Sequence, residues 1–228
     1  MAEEKSEKKK KTAREIIENY DGPKVRIMEV CGTHTHEIFR LGIRKLLPEQ
    51  VELISGPGCP VCVTPVSFID EAIYLALEKG VTICTFGDLV RVPGTKMSLA
   101  GAREQGAEIH VVYSPADAEE YAREHPDRQV TFLSVGFETT TPAGCLSVKA
   151  AKTDGLENYS ILTANKTMPQ AYEVLKGSAD VFLYPGHVNA ITGTRLCEAL
   201  TEEGVSGVVA GFTAKELMTA LAVALVKF

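Results

Sequence analysis

The chain has 228 residues, with 24 Lys and Arg against 30 Asp and Glu, giving a formal charge of −6. Hydrophobic residues make up 45% and charged residues 24%, the balance of a globular protein that can bury its own core rather than of a disordered, collagenous or coiled-coil chain. The acidic balance argues against a generic nucleic-acid binder, which needs clustered Lys and Arg to neutralise phosphate.

The chain opens on a Lys/Glu-rich stretch, with Lys8 to Lys11 beside Glu3, Glu4 and Glu7, so residues 1–20 read as a solvated, disordered tail. No apolar run follows it as in a signal peptide, and the most apolar stretch, 217–226, is too short to span a bilayer. These features predict a cytoplasmic protein without membrane partners. In chain order, β-branched and apolar runs predict strands at 25–30, 51–54, 81–86, 108–113, 130–135, 160–164, 181–184 and 205–210. Amphipathic stretches at 36–47, 66–79, 116–124 and 168–176 predict helices, and an apolar helical run closes the chain at 216–228. Near-continuous apolar strands alternating with helices predict an α/β fold with mainly parallel sheets. Eight strands suit two small Rossmann-like domains. The polar stretch 119–128, with Pro126, suggests a boundary that separates domain 1 at 21–126 from domain 2 at 127–228, the latter expected to be incomplete at its C-terminus.

Unusual residues gather where these strands end. Cys31-Gly-Thr33-His34-Thr-His36 follows the first, and Gly56-Pro-Gly58-Cys59-Pro-Val-Cys62 the second. Gly87-Asp88 follows the third, Gly136-Phe-Glu138-Thr139-Thr the fifth, Asn165-Lys166 the sixth and Pro185-Gly-His187 the seventh. Ligands of open α/β sheets bind beyond the carboxyl ends of the strands. The loops are therefore expected to face a shared cleft.

Six cysteines in a reducing compartment point to metal or redox chemistry rather than a disulfide framework. Cys59 and Cys62 form a C-x-x-C pair in a loop, stiffened by Gly56, Gly58 and prolines, that leads into a helix. Amides at a helix N-terminus would favour thiolate there, and two such thiols can exchange electrons or chelate a soft metal. A zinc ribbon would need a second C-x-x-C, which is missing. Cys31, His34 and His36 open a second helix and suggest metal binding or acid–base work. His36-Glu37-Ile-Phe-Arg40 fails as a zincin motif because Arg40 stands where the second histidine must be. Val61 replaces the third glycine of a dinucleotide fingerprint, and neither a P-loop nor a G-x-S-x-G elbow is present. Glu138 is expected to relay protons or to cap the next helix, and His187 to take part in the site. Cys84, Cys145 and Cys197, in apolar contexts, read as small buried hydrophobes.

CGTHTH at 31–36, GPGCPVC at 56–62, TFGDLVRVPG at 85–94, GFETT at 136–140 and PGHV at 185–188 together resemble the HypD family, the iron–sulfur scaffold proteins of [NiFe]-hydrogenase maturation. The resemblance runs from about residue 25 to 211. It implies assembly of the Fe(CN)2CO unit, in complex with a HypC-type chaperone and with cyanide delivered by a HypE-type donor, HypF acting upstream and the hydrogenase large subunit served indirectly. Cys31 would hold the iron together with a cysteine of the chaperone. Cys59 and Cys62 would be the redox dithiol. His34, His36, Glu138 and His187 would line the same cleft, with Thr33, Gly56, Gly58 and Thr139 touching the bound unit. The family also carries a C-terminal domain whose four cysteines hold a [4Fe-4S] cluster. No cysteine follows Cys197 here, so the chain reads as a fragment or truncated product. Two other readings compete: a stand-alone C-x-x-C thiol–disulfide oxidoreductase, and a mononuclear metal module of Cys3His type.

Overall fold

The computed structural model describes residues 11–228. All eight expected strands form, as β1 (Val25–Glu29), β2 (Val51–Ser55), β3 (Thr82–Thr85), β4 (Ile109–Val111), β5 (Val130–Ser134), β6 (Tyr159–Thr163), β7 (Val181–Pro185) and β8 (Ser206–Ala210). They pair entirely in parallel in two four-stranded sheets, ordered β2-β1-β7-β8 and β4-β3-β5-β6. The α/β expectation therefore holds. Burial explains which strands were easiest to read. The inner strands β3, β5 and β7 are buried at every position and β1 at all but one, as parallel strands covered on both faces must be. The edge strands β4, β6 and β8 are mostly open.

The division into domains differs from the expectation. Among the described residues, unit 1 comprises 11–58 with Pro169–Phe228, and unit 2 comprises Cys59–Met168. The reason is strand pairing: β1 lies between β2 and β7, with Ile27 opposite both Leu53 and Val181. Both ends of the chain thus build one sheet, a long-range choice that local composition does not encode. The polar stretch around Pro126 is internal to unit 2. There Asn158 Nδ2 donates to the carbonyls of Ala122, His125 and Arg128 at 2.8, 3.0 and 2.9 Å, fastening the turn into β5.

The disordered-tail expectation also needs correcting where it can be examined. Residues 1–10 lie outside the described residues. Ala13–Glu18 forms a helix, α1, opened by a capping box between Thr12 and Glu15. Its Ile17 is fully buried in the core of unit 1, beside Leu217 and Leu221.

In unit 1, α2 (Gly32–Arg40), α10 (Ala214–Lys227) and α1 cover one face of the sheet through Ile38, Leu217, Leu221 and Ile17, against Ile27, Leu53 and Leu183. Each such fully buried aliphatic side chain contributes about 1.5–3 kcal/mol. The opposite face carries Phe182 and Tyr184, the latter against Tyr172 of α7 (Met168–Val174), followed in the chain by α8 (Gly186–Thr192) and α9 (Arg195–Glu202). The helix expected at 36–47 starts earlier and stops sooner, because Gly42 takes a left-handed conformation (φ 65°) and splits off a 3-10 turn at Ile43–Leu46. In unit 2, α3 (Val66–Lys79) and α4 (Leu99–Glu104) pack on Ile83 and Leu133, whereas α5 (Pro115–Glu124) packs on Cys84 and Phe132. The helix α6 (Thr141–Thr153) adds a bond from its Ser147 to Tyr159 at 2.9 Å. Among the described residues, no helix is long and apolar enough to cross a membrane.

Candidate functional site

In each sheet the chain runs outward to both sides of a central pair of strands: β1 and β7 in unit 1, β3 and β5 in unit 2. Such reversals open a crevice at the carboxyl ends of the central pair. Beyond β1 and β7 lie Cys31, His34 and His187, at the starts of α2 and α8, and the loops after β3 and β5 carry Asp88 and Glu138.

Cys31 occupies the N-cap of α2, with extended backbone (φ −148°, ψ 126°), and its side chain caps no amide. The thiol is free and 7% exposed. One helical turn in, His34 is completely buried. Its Nε2 lies 3.2 Å from the carbonyl oxygen of Ala210 and 3.1 Å from that of Gly211, so Nε2 carries the proton and donates. Burial holds its pKa below the ordinary imidazole value, against the pull of those carbonyls, and nearby His187 lowers it further. His34 is therefore a neutral imidazole near neutral pH. Phe212, after β8, stands between the two histidines, its ring centre 4.7 Å from His34 and 5.0 Å from His187. His187 itself lies in the first turn of α8 rather than in a loop.

Close to the start of α2 lies an ion pair with one buried partner. Glu29, the last residue of β1, is 0% exposed, and its Oε1 accepts from Arg44 at 2.7 Å. Its Oε2 accepts from Thr35 of α2 at 2.6 Å and from Ser55 of β2 at 3.2 Å. The Glu29 carbonyl takes the Gly56 amide at 2.9 Å. Two residues on, Gly58 accepts the Gly32 N–H through its carbonyl at 3.2 Å. A side chain at Gly58 would meet the Cys31 Cα at 2.5 Å, so only glycine lets the loop approach α2 this closely.

The dithiol opens unit 2. Cys59 is partly buried and Cys62 exposed, both as free thiols. The Cys62 amide donates to Cys59 Sγ at 3.4 Å, and the Cys59 sulfur, with a smaller push from burial, raises the Cys62 thiol pKa above its ordinary value. This corrects the expected source of activation. The helix α3 begins only at Val66, capped by Pro65, so the thiols lie in a preceding turn rather than on the first amides of a helix. That turn is held by Thr64, which donates to the Pro60 carbonyl at 2.9 Å, while Val61 packs into the core of unit 2.

Glu138 does not cap the next helix, whose N-cap is Thr140. Its Oε1 instead accepts the Met168 amide, at the start of α7, at 2.8 Å, and its Oε2 is buried without a hydrogen-bond partner. Nearby Asn165 donates to Ser134 at 3.1 Å, and Lys166 to the Gly136 carbonyl through its amide at 3.0 Å. Thr139 is exposed, as are Thr33 and His36 of α2, whose outer face also presents Phe39. His36 pairs with Glu37, at 4.0 Å. Cys84 and Cys197 are buried as expected, with Cys84 pushed up to about 12 by burial, but Cys145 is exposed. It falls on the outer face of α6, which buries Gly144, Ser147 and Ala151. Among the described residues no group of three or more His, Cys, Asp or Glu side chains could hold a metal ion, so a four-ligand module finds no geometric support there.

Sequence reasoning missed Glu29, Arg44 and Phe212. A carboxylate closing an otherwise apolar inner strand is a signal in itself, since buried charge needs a partner. The strand-end rule applied to β8 would have reached Phe212.

Residues 7–228 match the family model for HypD, described as the hydrogenase formation hypA family. The chain belongs to the HypD family. It is 46% identical over 199 residues to the hydrogenase maturation factor HypD of Rhodobacter capsulatus, covering 85% of this chain and 53% of that protein. The HypD of Escherichia coli K12 is 46% identical over 174 residues, 75% of this chain and 47% of the relative. A putative hydrogenase expression/formation protein of Methanocaldococcus jannaschii is 40% identical over 202 residues, 87% of this chain and 56% of the relative. The chain thus spans about half the length of the curated HypD relatives it matches.

Proposed function

We propose that this chain acts in hydrogenase maturation as the scaffold on which an Fe(CN)2CO unit is assembled, with the iron unit as cargo. Cys31 supplies a thiolate to the iron, a soft donor suited to low-spin Fe(II) with strong-field ligands. A HypC-type chaperone supplies the second thiolate, and a HypE-type protein delivers cyanide. The observation that carries this reading is the position of Cys31: a buried, uncapped N-cap thiol at the β1–β7 reversal, three residues before a neutral buried His34. A single protein thiolate in a mostly water-excluded setting can hold a metal whose other positions are filled by its own ligands.

Cys59 and Cys62 supply the electrons for cyanide release. A carrier thiocyanate, R–S–C≡N, is cleaved at its S–CN bond as the dithiol closes to a disulfide. R–SCN and two Cys–SH give R–SH, HCN and Cys–S–S–Cys, and the two electrons come from the S–H pair. Partly buried Cys59 is assigned the attack, and exposed Cys62, whose thiol pKa its neighbour raises, closes the disulfide. Re-reduction falls to an external donor of the [4Fe-4S] type that the family resemblance implies. His187 and Glu138 are assigned to proton traffic.

The test is anaerobic reconstitution of the chain with iron(II) and a HypC-type chaperone, followed by gel filtration with iron analysis. Iron co-eluting with the complex, and lost in Cys31→Ala at an unchanged melting temperature, supports the assignment. Iron retained in Cys31→Ala refutes it. No chaperone binding, together with insulin reduction that needs only Cys59 and Cys62, would favour a plain thiol–disulfide oxidoreductase.

A further inference from the structure

The geometry points to Glu29 as the positioning residue that sets both the iron thiol and the dithiol, an inference that rests on the roles given above to Cys31, Cys59 and Cys62. One fully buried carboxylate ties three segments: Arg44 after α2, Thr35 in the first turn of α2, and Ser55 at the end of β2. Thr35 also returns its amide to the Cys31 carbonyl at 3.2 Å, so the Glu29–Thr35 bond fixes the helix start that Cys31 caps. Ser55 is the last strand residue before Gly56, and Gly56 is held by the Glu29 carbonyl. Arg44 closes the frame by donating to the Leu53 carbonyl at 2.7 Å and lying 3.4 Å from the Ser55 hydroxyl. From this frame the chain needs three residues, Gly56 to Gly58, to reach Cys59.

The chemistry of the group makes it more than a fastening. A carboxylate accepts at both oxygens, whereas an amide of the same shape accepts at one and donates at the other. Arg44 can only donate. In Glu29→Gln the amide oxygen therefore turns to Arg44, and its NH2 faces the two hydroxyls, which must reverse to accept. Packing survives while the anchors of α2 and of the dithiol loop loosen. A loop anchored at its entry loses little freedom when Cys59 and Cys62 close. A loosened one loses more, so its disulfide becomes easier to reduce.

The experiment uses the whole chain and needs no hydrogenase. The Cys59–Cys62 couple is equilibrated against glutathione and read by mass on the peptide holding residues 59–62. Anaerobic alkylation of Cys31 is followed in parallel at one fixed pH. The variants are Glu29→Gln, Ser55→Ala and Ser55→Thr, with the melting temperature as a fold control. Glu29→Gln is expected to shift the dithiol–disulfide constant about tenfold toward dithiol, about 30 mV for a two-electron couple. Cys31 alkylation should quicken severalfold. Ser55→Ala should reproduce the shift of the couple but not the Cys31 effect, and Ser55→Thr, which keeps the hydroxyl, should restore it. A merely structural carboxylate would lower the melting temperature and leave the potential alone. A normal wild-type couple unmoved in Glu29→Gln, or in Ser55→Ala should Glu29→Gln not fold, overturns the positioning role alone. Absence of any reversible couple in the wild type overturns the dithiol assignment along with it.

Discussion

Replacing Gly58 by Ala probes the closest approach in the site. The added methyl would lie 2.5 Å from both the Cα and the carbonyl carbon of Cys31, and closer still to the Gly32 nitrogen. Ordinary carbon contacts need about 3.5 Å, so the loop must retreat by roughly an ångström. Retreat of that size breaks the Gly32-to-Gly58 hydrogen bond, now 3.2 Å long. Forcing a methyl into packed space costs about 1–3 kcal/mol, and the lost bond about 0.5–1.5 kcal/mol. The middle of the sum, about 3 kcal/mol, corresponds to a melting temperature lower by roughly 6–12 °C for a chain of this size. The assay is calorimetry with native-state alkylation of Cys31, which should quicken as the cover over it lifts. Gly80→Ala is the control: Gly80 is left-handed (φ 66°) with open space around it, so the cost there, about 1–2 kcal/mol, is conformational and should leave Cys31 unchanged. A Gly58→Ala protein that melts within 2 °C of the wild type (a shift under about 1 kcal/mol) and protects Cys31 equally would refute the close approach.

Three further outcomes follow from the same geometry. His34 has a folded-state pKa below its unfolded value of about 6.5, so the unfolded chain binds the extra proton and stability should fall as pH drops through the window between the two values, then level off; pH-dependent melting of the wild type against His34→Gln checks this, and equal slopes would contradict it. Iodoacetamide treatment of the reduced native protein should label exposed Cys145 and Cys62 and spare Cys84, which is fully buried, and the Cys62 rate should climb only at a pH above that of an ordinary thiol. Phe212→Ala should remove ring contacts worth about 0.5–1.5 kcal/mol and, by admitting water to His34, raise its pKa, measurable by NMR titration of the imidazole.

The sequence showed strand positions well because parallel inner strands are buried at every position, as β3, β5 and β7 are, and so read as largely apolar runs. The strand ends bearing Cys31, His34, Glu138 and His187 could be placed for the same reason, since glycines and polar groups begin where the apolar runs end. Domain membership was not legible. Nothing local in residues 181–185 says that they pair with β1 rather than with the strand before them. Helices starting on Gly or Thr, such as α6 and α8, were also hidden because their first turns read as loops. Glu29 escaped notice for a different reason: its meaning depends on Arg44, Thr35 and Ser55 arriving together, and three partners from three segments leave no spacing to recognise. The helix start expected at the C-x-x-C pair falls four residues after Cys62, at Val66.

The most direct test of the scaffold assignment is the infrared spectrum of the chain prepared anaerobically with iron and HypC- and HypE-type partners, taken between the amide and C–H regions where protein is nearly silent. The account predicts stretches of iron-bound cyanide and CO that vanish in Cys31→Ala while the protein stays folded. Bands that persist without the Cys31 thiol would contradict it.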